Sequence, residues 1–422
     1  MRGEEPKEDI KSWEEGKKKI QKEDSKRTAI KHQTQTNSQV SVALKTLLEP
    51  DTSPCNDNFS AKVTTMKRKV SREQEIARKQ QRCKPVADVK KPENKDTEVL
   101  PATKTPRSNR ISKQENKSTF LLGQTSKDDL RDKYIPLCSL GEGGHGSVFA
   151  GIRITDKLPV AIKHIPKSSV RMRSVTVNGS RYKIPLEVVL MQKAGGEPEL
   201  VGQSSAVCIL EWYDLEQEIV LVMERPVPSV DLWQYINHKG PMGEDMARFI
   251  MKQLIEAAIR IDSAGVFHRD IKTENILIEE RRDGPRVRVI DFGCGSILSR
   301  RNYGYRTYVG TPQYVPPEFF VDWSYKAGPT TVWQLTAVLY EMLEGFSHFD
   351  TVRFICKVYR ISSRLSQDCQ DFMKMGLALL PEKRATLKQM QQHSWLTNPA
   401  STITQPLPAP GPPPTSHLLL SP

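Results

Sequence analysis

Residues 268–275 read His-Arg-Asp-Ile-Lys-Thr-Glu-Asn, which places a carboxylate, an ammonium and an amide within one short stretch. Asp270 can accept a hydrogen bond from an incoming hydroxyl and orient it for in-line attack, the work of a catalytic base. Lys272 can neutralise charge on a transferring phosphate. Asn275, and Asp291 of the Asp-Phe-Gly at 291–293, offer hard oxygen donors of the kind Mg²⁺ prefers. Upstream, Gly141-Glu-Gly-Gly-His-Gly-Ser-Val148 carries glycines at Gly141, Gly143 and Gly146, so a turn can approach triphosphate oxygens without Cβ clashes. Lys163 ends the apolar run Val160-Ala-Ile-Lys, where an ammonium can hold α- and β-phosphates. The chemistry these residues could share is phosphoryl transfer.

Each string alone is weak. A glycine-rich loop of this spacing also occurs in dinucleotide sites, but there the glycines open a helix. Here they run into Val148-Phe-Ala, which reads as a strand. All four motifs in this order and at these separations resemble a protein kinase. The lysine two residues after Asp270 is similar to serine/threonine kinases rather than tyrosine kinases. Glu187, in the helical run Pro185-Leu-Glu-Val-Val-Leu-Met, is the candidate carboxylate partner of Lys163. His268 reads as a packed structural histidine, not a proton carrier. The resemblance also implies that Glu318, in Pro316-Pro-Glu, pairs with Arg384, and that Ser299, Thr307 and Thr311 are open to phosphorylation with Arg269 as a receiver.

A narrower resemblance rests on the segment Leu221-Val-Met-Glu-Arg-Pro226 followed by Asp231-Leu-Trp, on Ile271 to Ile278, on Tyr314-Val-Pro-Pro-Glu, and on Val332-Trp-Gln-Leu. Together these resemble the Pim family of serine/threonine kinases, over about 134–396. Thr331 stands where most kinases place an aspartate before Val-Trp. Met223 takes the gatekeeper place. Pro226 has no backbone N–H, so the Glu224 carbonyl is left as the main hinge contact. The resemblance implies ATP contacts from Leu140, Gly141, Gly143, Gly146, Val148, Ala161, Lys163, Glu187, Glu224 and Asp231, and Mg²⁺ at Asn275 and Asp291. It also implies activity without activation-segment phosphate and a preference for basic residues before the target Ser or Thr, read by acidic side chains such as Glu274 and Asp231. Thr273 and Gln234 stand where acidic residues are expected, which thins that groove. Gln334-Leu-Thr replaces a usual Ser-Leu-Gly and is expected to perturb a buried helix.

Positioning these groups falls to an α+β architecture, the bilobal kinase fold. A small antiparallel sheet with one helix forms the N-lobe, from the runs Tyr134-Ile-Pro-Leu-Cys, Ser147-Val-Phe-Ala, Pro159 to Lys163, Cys208 to Trp212 and Ile219 to Met223. The C-lobe is mostly helical. Residues 245–264 place Ala247, Ile250, Leu254, Ala257, Ala258 and Ile261 on one face, and 331–343 read as a buried helix. The expected domains are a disordered basic and polar region at 1–130, a kinase domain at 131–398 (N-lobe 131–224, C-lobe 227–398), and a Pro-rich tail at 399–422.

The formal net charge is +13, and about 29 Lys/Arg against about 20 Asp/Glu in 1–130 put roughly +9 of it there. With few aromatics and no sustained apolar period, that region cannot offset its chain entropy by burial. Lys67-Arg-Lys69 with Arg78-Lys79 and Arg82 to Lys84 reads as a bipartite basic signal or as a plain solvated linker; interleaved glutamates argue against nucleic-acid binding. The tail could dock an SH3-type domain. No apolar run is long enough to span a membrane, and the first residues lack the apolar segment of a secretory signal. Seven cysteines without metal-ligand spacing point to reduced thiols and a cytoplasmic or nuclear protein. Expected partners are ATP and protein substrates. A catalytically impaired pseudokinase or scaffold of the same fold is the alternative, and intact Lys163, Asp270, Asn275 and Asp291 weigh against it.

Overall fold

The computed structural model describes residues 123–143, 146–177, 179–196, 198–298, 304–345 and 349–397. The basic cluster at 67–84, residues 1–122 of the expected disordered region and the Pro-rich tail lie outside the described residues.

The chain enters the fold earlier than expected. Gln124 bridges Tyr213 in parallel, and Gly123 lies so close to the Trp212 ring that a Cβ there would meet it at 2.5 Å. Helix α1 (Lys127–Lys133) follows, its first turn capped by the Ser126 hydroxyl. Lys133 pairs with Asp129 at 3.0 Å and with Glu211 at 3.4 Å, and the Tyr213 hydroxyl reaches Asp129 at 3.2 Å. The boundary drawn between 130 and 131 therefore cuts a helix, and the folded unit takes in residues from Gly123. The helix buries none of its residues, so no apolar pattern announces it.

Strands β1 (Tyr134–Gly143), β2 (Gly146–Arg153), β3 (Pro159–Pro166), β6 (Ile209–Asp214) and β7 (Glu218–Glu224) build one antiparallel sheet in the order β1-β2-β3-β7-β6. Between β3 and the N-lobe helix the chain inserts a hairpin, β4 (Met172–Val177) and β5 (Ser180–Pro185), that sequence reading passed over. Its signal was available: the dipeptide Asn178-Gly179 is a strong hairpin signal in the sequence, and Gly179 has φ +81°. Helix α2 (Leu186–Gly195) then packs Val188, Leu190 and Met191 into a core that also holds Trp212, Leu221 and Met223. That core runs on into the other lobe through Ala257, Ile261, Val289 and Phe292, so the two lobes share apolar packing beneath the site.

The second lobe starts with β8 (Ser229–Asp231) and helices α3 (Leu232–Lys239) and α4 (Glu244–Ser263). The face expected on α4 is buried, with Met251 and Ile255 added to it. Short strands β9 (Val266–Phe267), β10 (Ile276–Glu279), β11 (Arg286–Val289) and β12 (Ser296–Ile297) carry the loops with the chemical motifs. Helix α5 (Pro317–Asp322) leads to α6 (Ala327–Glu344), and α7 (Thr351–Ile355), α8 (Gln367–Gly376), α9 (Leu387–Gln391) and α10 (Ser394–Thr397) close the lobe.

Helix α6 is the axle of this lobe, buried from Val332 to Leu343 on every side. A fully buried Leu, Val or Met contributes roughly 1.5–3 kcal/mol, so this helix is a main source of the lobe's stability. The expected perturbation at Gln334-Leu-Thr does not appear, because the helix runs unbroken. The Thr336 hydroxyl donates to the Val332 carbonyl at 2.8 Å, and its bulk is admitted because Gly376 faces it. A Cβ on Gly376 would stand 2.1 Å from Thr336 Oγ1. No described helix is long and apolar enough to cross a membrane.

Candidate active site

The sheet sets the roof of the site. Cross-strand register puts Val148 opposite both Gly141 and Lys163, and Ala161 opposite Met223. Residues two apart on a strand share a face, so Val148, Ala161 and Lys163 line the same surface, with half-exposed Leu140 at its rim. Gly141 meets no protein atom within 4 Å of an added Cβ, which leaves open space beside it. Gly146 has the opposite reason to be glycine: its φ is +112° and a Cβ would lie 2.0 Å from the His164 carbonyl oxygen. Gly143 ends β1; His145 falls outside the described residues.

Lys163 and Glu187 come together. Nζ lies 2.7 Å from Glu187 Oε1 and 2.8 Å from Asp291 Oδ1. Glu187 occupies the first turn of α2, where the helix dipole favours a carboxylate. Burial works against the Lys163 charge, but the two carboxylates outweigh it and hold the ammonium above its ordinary range. Asp291 has φ +60° and takes a second hydrogen bond from the Gly293 N–H at 3.1 Å.

The loop between β9 and β10 holds the other motif. Asp270 Oδ1 accepts from the Thr311 N–H at 2.7 Å, and Oδ2 from Asn275 Nδ2 at 3.3 Å. Asn275 Nδ2 also donates to the Asp270 carbonyl at 2.8 Å, which directs its amide oxygen away from that bond. Lys272 Nζ sits 4.0 Å from Asp270 and 3.6 Å from Glu274. His268 Nε2 donates to the Ile290 carbonyl at 3.0 Å, Nδ1 accepts from the Asp270 N–H, and the ring packs on Phe292. Burial lowers its pKa, so it is a neutral, fully committed imidazole.

Asp231 caps α3 through the Gln234 N–H at 2.8 Å. Burial raises its pKa despite that bond, and nearby Glu274 raises it further. The hinge role expected of Glu224 concerns its backbone carbonyl, and its side chain has a separate, structural role. Its side chain is buried, paired with Arg288, and accepts from the N–H groups of Cys208 and Gly202 at 2.7 Å each. Several backbone groups of the hinge are already committed: the Glu224 N–H goes to the Cys208 carbonyl, the Arg225 N–H goes to the Pro159 carbonyl, and the Pro226 carbonyl accepts from the Ser229 hydroxyl.

Several contributors carried no sequence signal of this role. Gln334 bonds to the Asp270 loop on both sides. Buried Glu341 accepts from Tyr314 at 2.5 Å, from Thr273 at 2.8 Å and from the Phe349 N–H. Arg269 donates to the Tyr325 hydroxyl and the Thr307 carbonyl, and its guanidinium lies 4.9 Å from the Tyr305 ring centre. Arg171 reaches from the start of the hairpin to the Gly293 and Gly295 carbonyls at 2.6 and 2.9 Å. The pair expected from the sequence also forms: Arg384 grips Glu318 bidentately at 2.7 and 3.1 Å. Ser299, Arg300, Arg301 and Tyr303 lie outside the described residues.

Residues 134–396 match the family described as protein kinase domain. The chain is similar to the serine/threonine-protein kinase pim-2 of Danio rerio, 36% identical over 280 residues that cover 66% of this chain and 89% of that protein. It is similar to the serine/threonine-protein kinase prk-2 of Caenorhabditis elegans, 30% identical over 288 residues, 67% of this chain and 62% of that one. The PAS domain-containing serine/threonine-protein kinase of Mus musculus is 28% identical over 270 residues, 64% of this chain and 19% of its own length.

Proposed function

The chain belongs to the protein kinase family, and from that premise we propose that it is an active, Pim-like serine/threonine kinase. It transfers the γ-phosphoryl group of ATP to Ser or Thr hydroxyls of proteins, favours basic residues upstream, and works without a phosphate on its activation segment. The observation that carries this reading is the convergence of Lys163, Glu187 and Asp291 within 2.8 Å links above an Asp270 whose carboxylate is held from two sides.

In this reading Asp270 accepts the hydrogen bond of the substrate hydroxyl and aims its oxygen at the phosphorus. Lys272 stands beside it to neutralise charge as the group transfers. Lys163, oriented by Glu187, binds the phosphates of the donor. The donor set suits Mg²⁺: one carboxylate, Asp291, and one amide oxygen, Asn275. That is the sparse oxygen set of an ion that keeps waters and binds phosphates. When bound, Mg²⁺ supplies charge neutralisation on the phosphates.

Arg269 supports independence from activating phosphate. Its charge is already enclosed by the Tyr325 hydroxyl, the Thr307 carbonyl and the Tyr305 ring. Arg171 ties the start of the activation segment to the hairpin. Upstream basic residues would meet Asp231 and Glu274. Thr273 spends its hydroxyl on Glu341 and adds no charge, so the preference is weaker than in a groove with a third carboxylate.

The test is the purified full chain with Mg-ATP and an arrayed Ser/Thr peptide library, beside Asp270→Asn and a phosphatase-treated sample. Transfer concentrated on peptides with upstream Arg or Lys, lost in Asp270→Asn and kept after phosphatase, is the expected result. A folded protein with no transfer above Asp270→Asn would move the reading to a scaffold of the same fold.

A further inference from the structure

Helix α6 passes beneath the loop that carries Asp270, and Gln334 is the residue that crosses the gap. Its side chain is fully buried, where both ends of an amide must find partners. They do. Nε2 donates to the Arg269 carbonyl at 2.8 Å, and Oε1 accepts from the Ile271 N–H at 3.3 Å. These two peptide groups flank Asp270. Arg269 has φ +72°, a left-handed conformation that a side chain with a Cβ adopts only under constraint. One planar amide on a buried helix thus straps down both peptide groups around the reacting carboxylate. An amide fits this pairing at any pH, because one atom must give a hydrogen bond and the other must take one. A carboxylate would turn a lone pair toward the Arg269 carbonyl, and an apolar side chain would leave two buried backbone groups unpaired.

We propose that Gln334 is a positioning residue for phosphoryl transfer: it aims Asp270 by fixing the backbone from Arg269 to Ile271. The inference rests on the reading of Asp270 as the carboxylate that orients the acceptor hydroxyl.

The experiment uses the full chain with Gln334→Glu and Gln334→Met, assayed with Mg-ATP and a Ser/Thr peptide beside wild type and Asp270→Asn. Folded fraction is followed by thermal unfolding and nucleotide binding. Gln334→Glu keeps the acceptor and the shape but loses the donor while ionised. It is expected to lower kcat about tenfold with the KM for ATP unchanged, the equivalent of about 1.4 kcal/mol. It should regain much of that rate between about pH 8 and about pH 6, as the buried carboxyl takes up a proton and can donate again. Gln334→Met loses both bonds, and its kcat should fall further at every pH. Wild-type kcat in Gln334→Glu beside an inactive Asp270→Asn overturns the proposal. So does a loss in Gln334→Glu that only tracks the folded fraction and does not recover at low pH. Should Met fail to fold, the Glu variant still decides. An active Asp270→Asn would instead sink the reading of the site itself.

Discussion

Two buried charge clusters in this molecule look alike in sequence and differ in what surrounds them. Arg384 and Glu318 are closed on all sides: their side chains are 0% and 4% exposed. Arg384 also gives hydrogen bonds to the carbonyls of Ala378, Leu379 and Pro329 and lies against the Trp333 ring. Lys163, Glu187 and Asp291 are joined just as tightly, yet the Asp291 side chain is 28% exposed. A cluster whose donors are spent within the protein can only hold the fold. A cluster that opens to solvent on one edge can exchange a partner for a phosphate or a metal ion. The difference in closure, not in charge, separates the structural pair from the chemical one.

The sharpest way to break this contrast is to remove one cation from each. Lys163→Met should lower kcat by at least about a hundredfold, as removal of a transition-state charge partner does, with little change in thermal stability. Arg384→Ala should do the reverse. Stripping one partner from a closed pair costs about 3–5 kcal/mol, read as a large fall in unfolding temperature, while the enzyme that stays folded keeps its turnover. Equal effects of the two variants on stability would erase the distinction.

Glu341 tests an intermediate case, a buried carboxyl with donors but no cationic partner among the described residues. Burial lifts it to about 7 from an ordinary 4.5, against the hydrogen bonds of Tyr314, Phe349 and Thr273. Its folded value lies above its unfolded one, so its contribution is fully present below about pH 4.5 and is lost as pH rises through about 7. Denaturant titrations should show stability falling across that window by up to about 3 kcal/mol. Glu341→Gln should remove that slope; a slope that persists in the variant assigns it to another group.

The smallest effect concerns packing alone. Gly376→Ala drives a methyl into Thr336 and should cost about 1–3 kcal/mol, with kcat unchanged. Thr336→Ala in the same chain should restore most of the loss, and additive losses would show that the two residues do not meet.

Much of this was legible beforehand because spacing along the chain encodes chemistry directly. The glycines of β1 and β2, Lys163 in β3 and the 268–275 octet each announce a role through residue type. Glu187 followed from the helix in which it sits. What stayed hidden depends on groups far apart in sequence. Gln334 is 65 residues from Arg269, and nothing in its neighbours says which loop it will meet, so it read as a defect. Glu224 was assigned through its backbone, while its side chain found Arg288, 64 residues on. The β4–β5 hairpin was missed for a weaker reason: its strands are mostly exposed, so their alternation carries little apolar contrast. Helix α1 was missed because its contacts are salt bridges and a phenol.

The facing pair Thr336 and Gly376 also makes the two positions interdependent. A Cβ at 376 would stand 2.1 Å from Thr336 Oγ1, so what one position tolerates is set by the occupant of the other. A smaller residue at 336 opens space for a methyl at 376, whereas a threonine at 336 demands a glycine for close packing. The effect of a substitution at either site is therefore conditional on the residue at its partner.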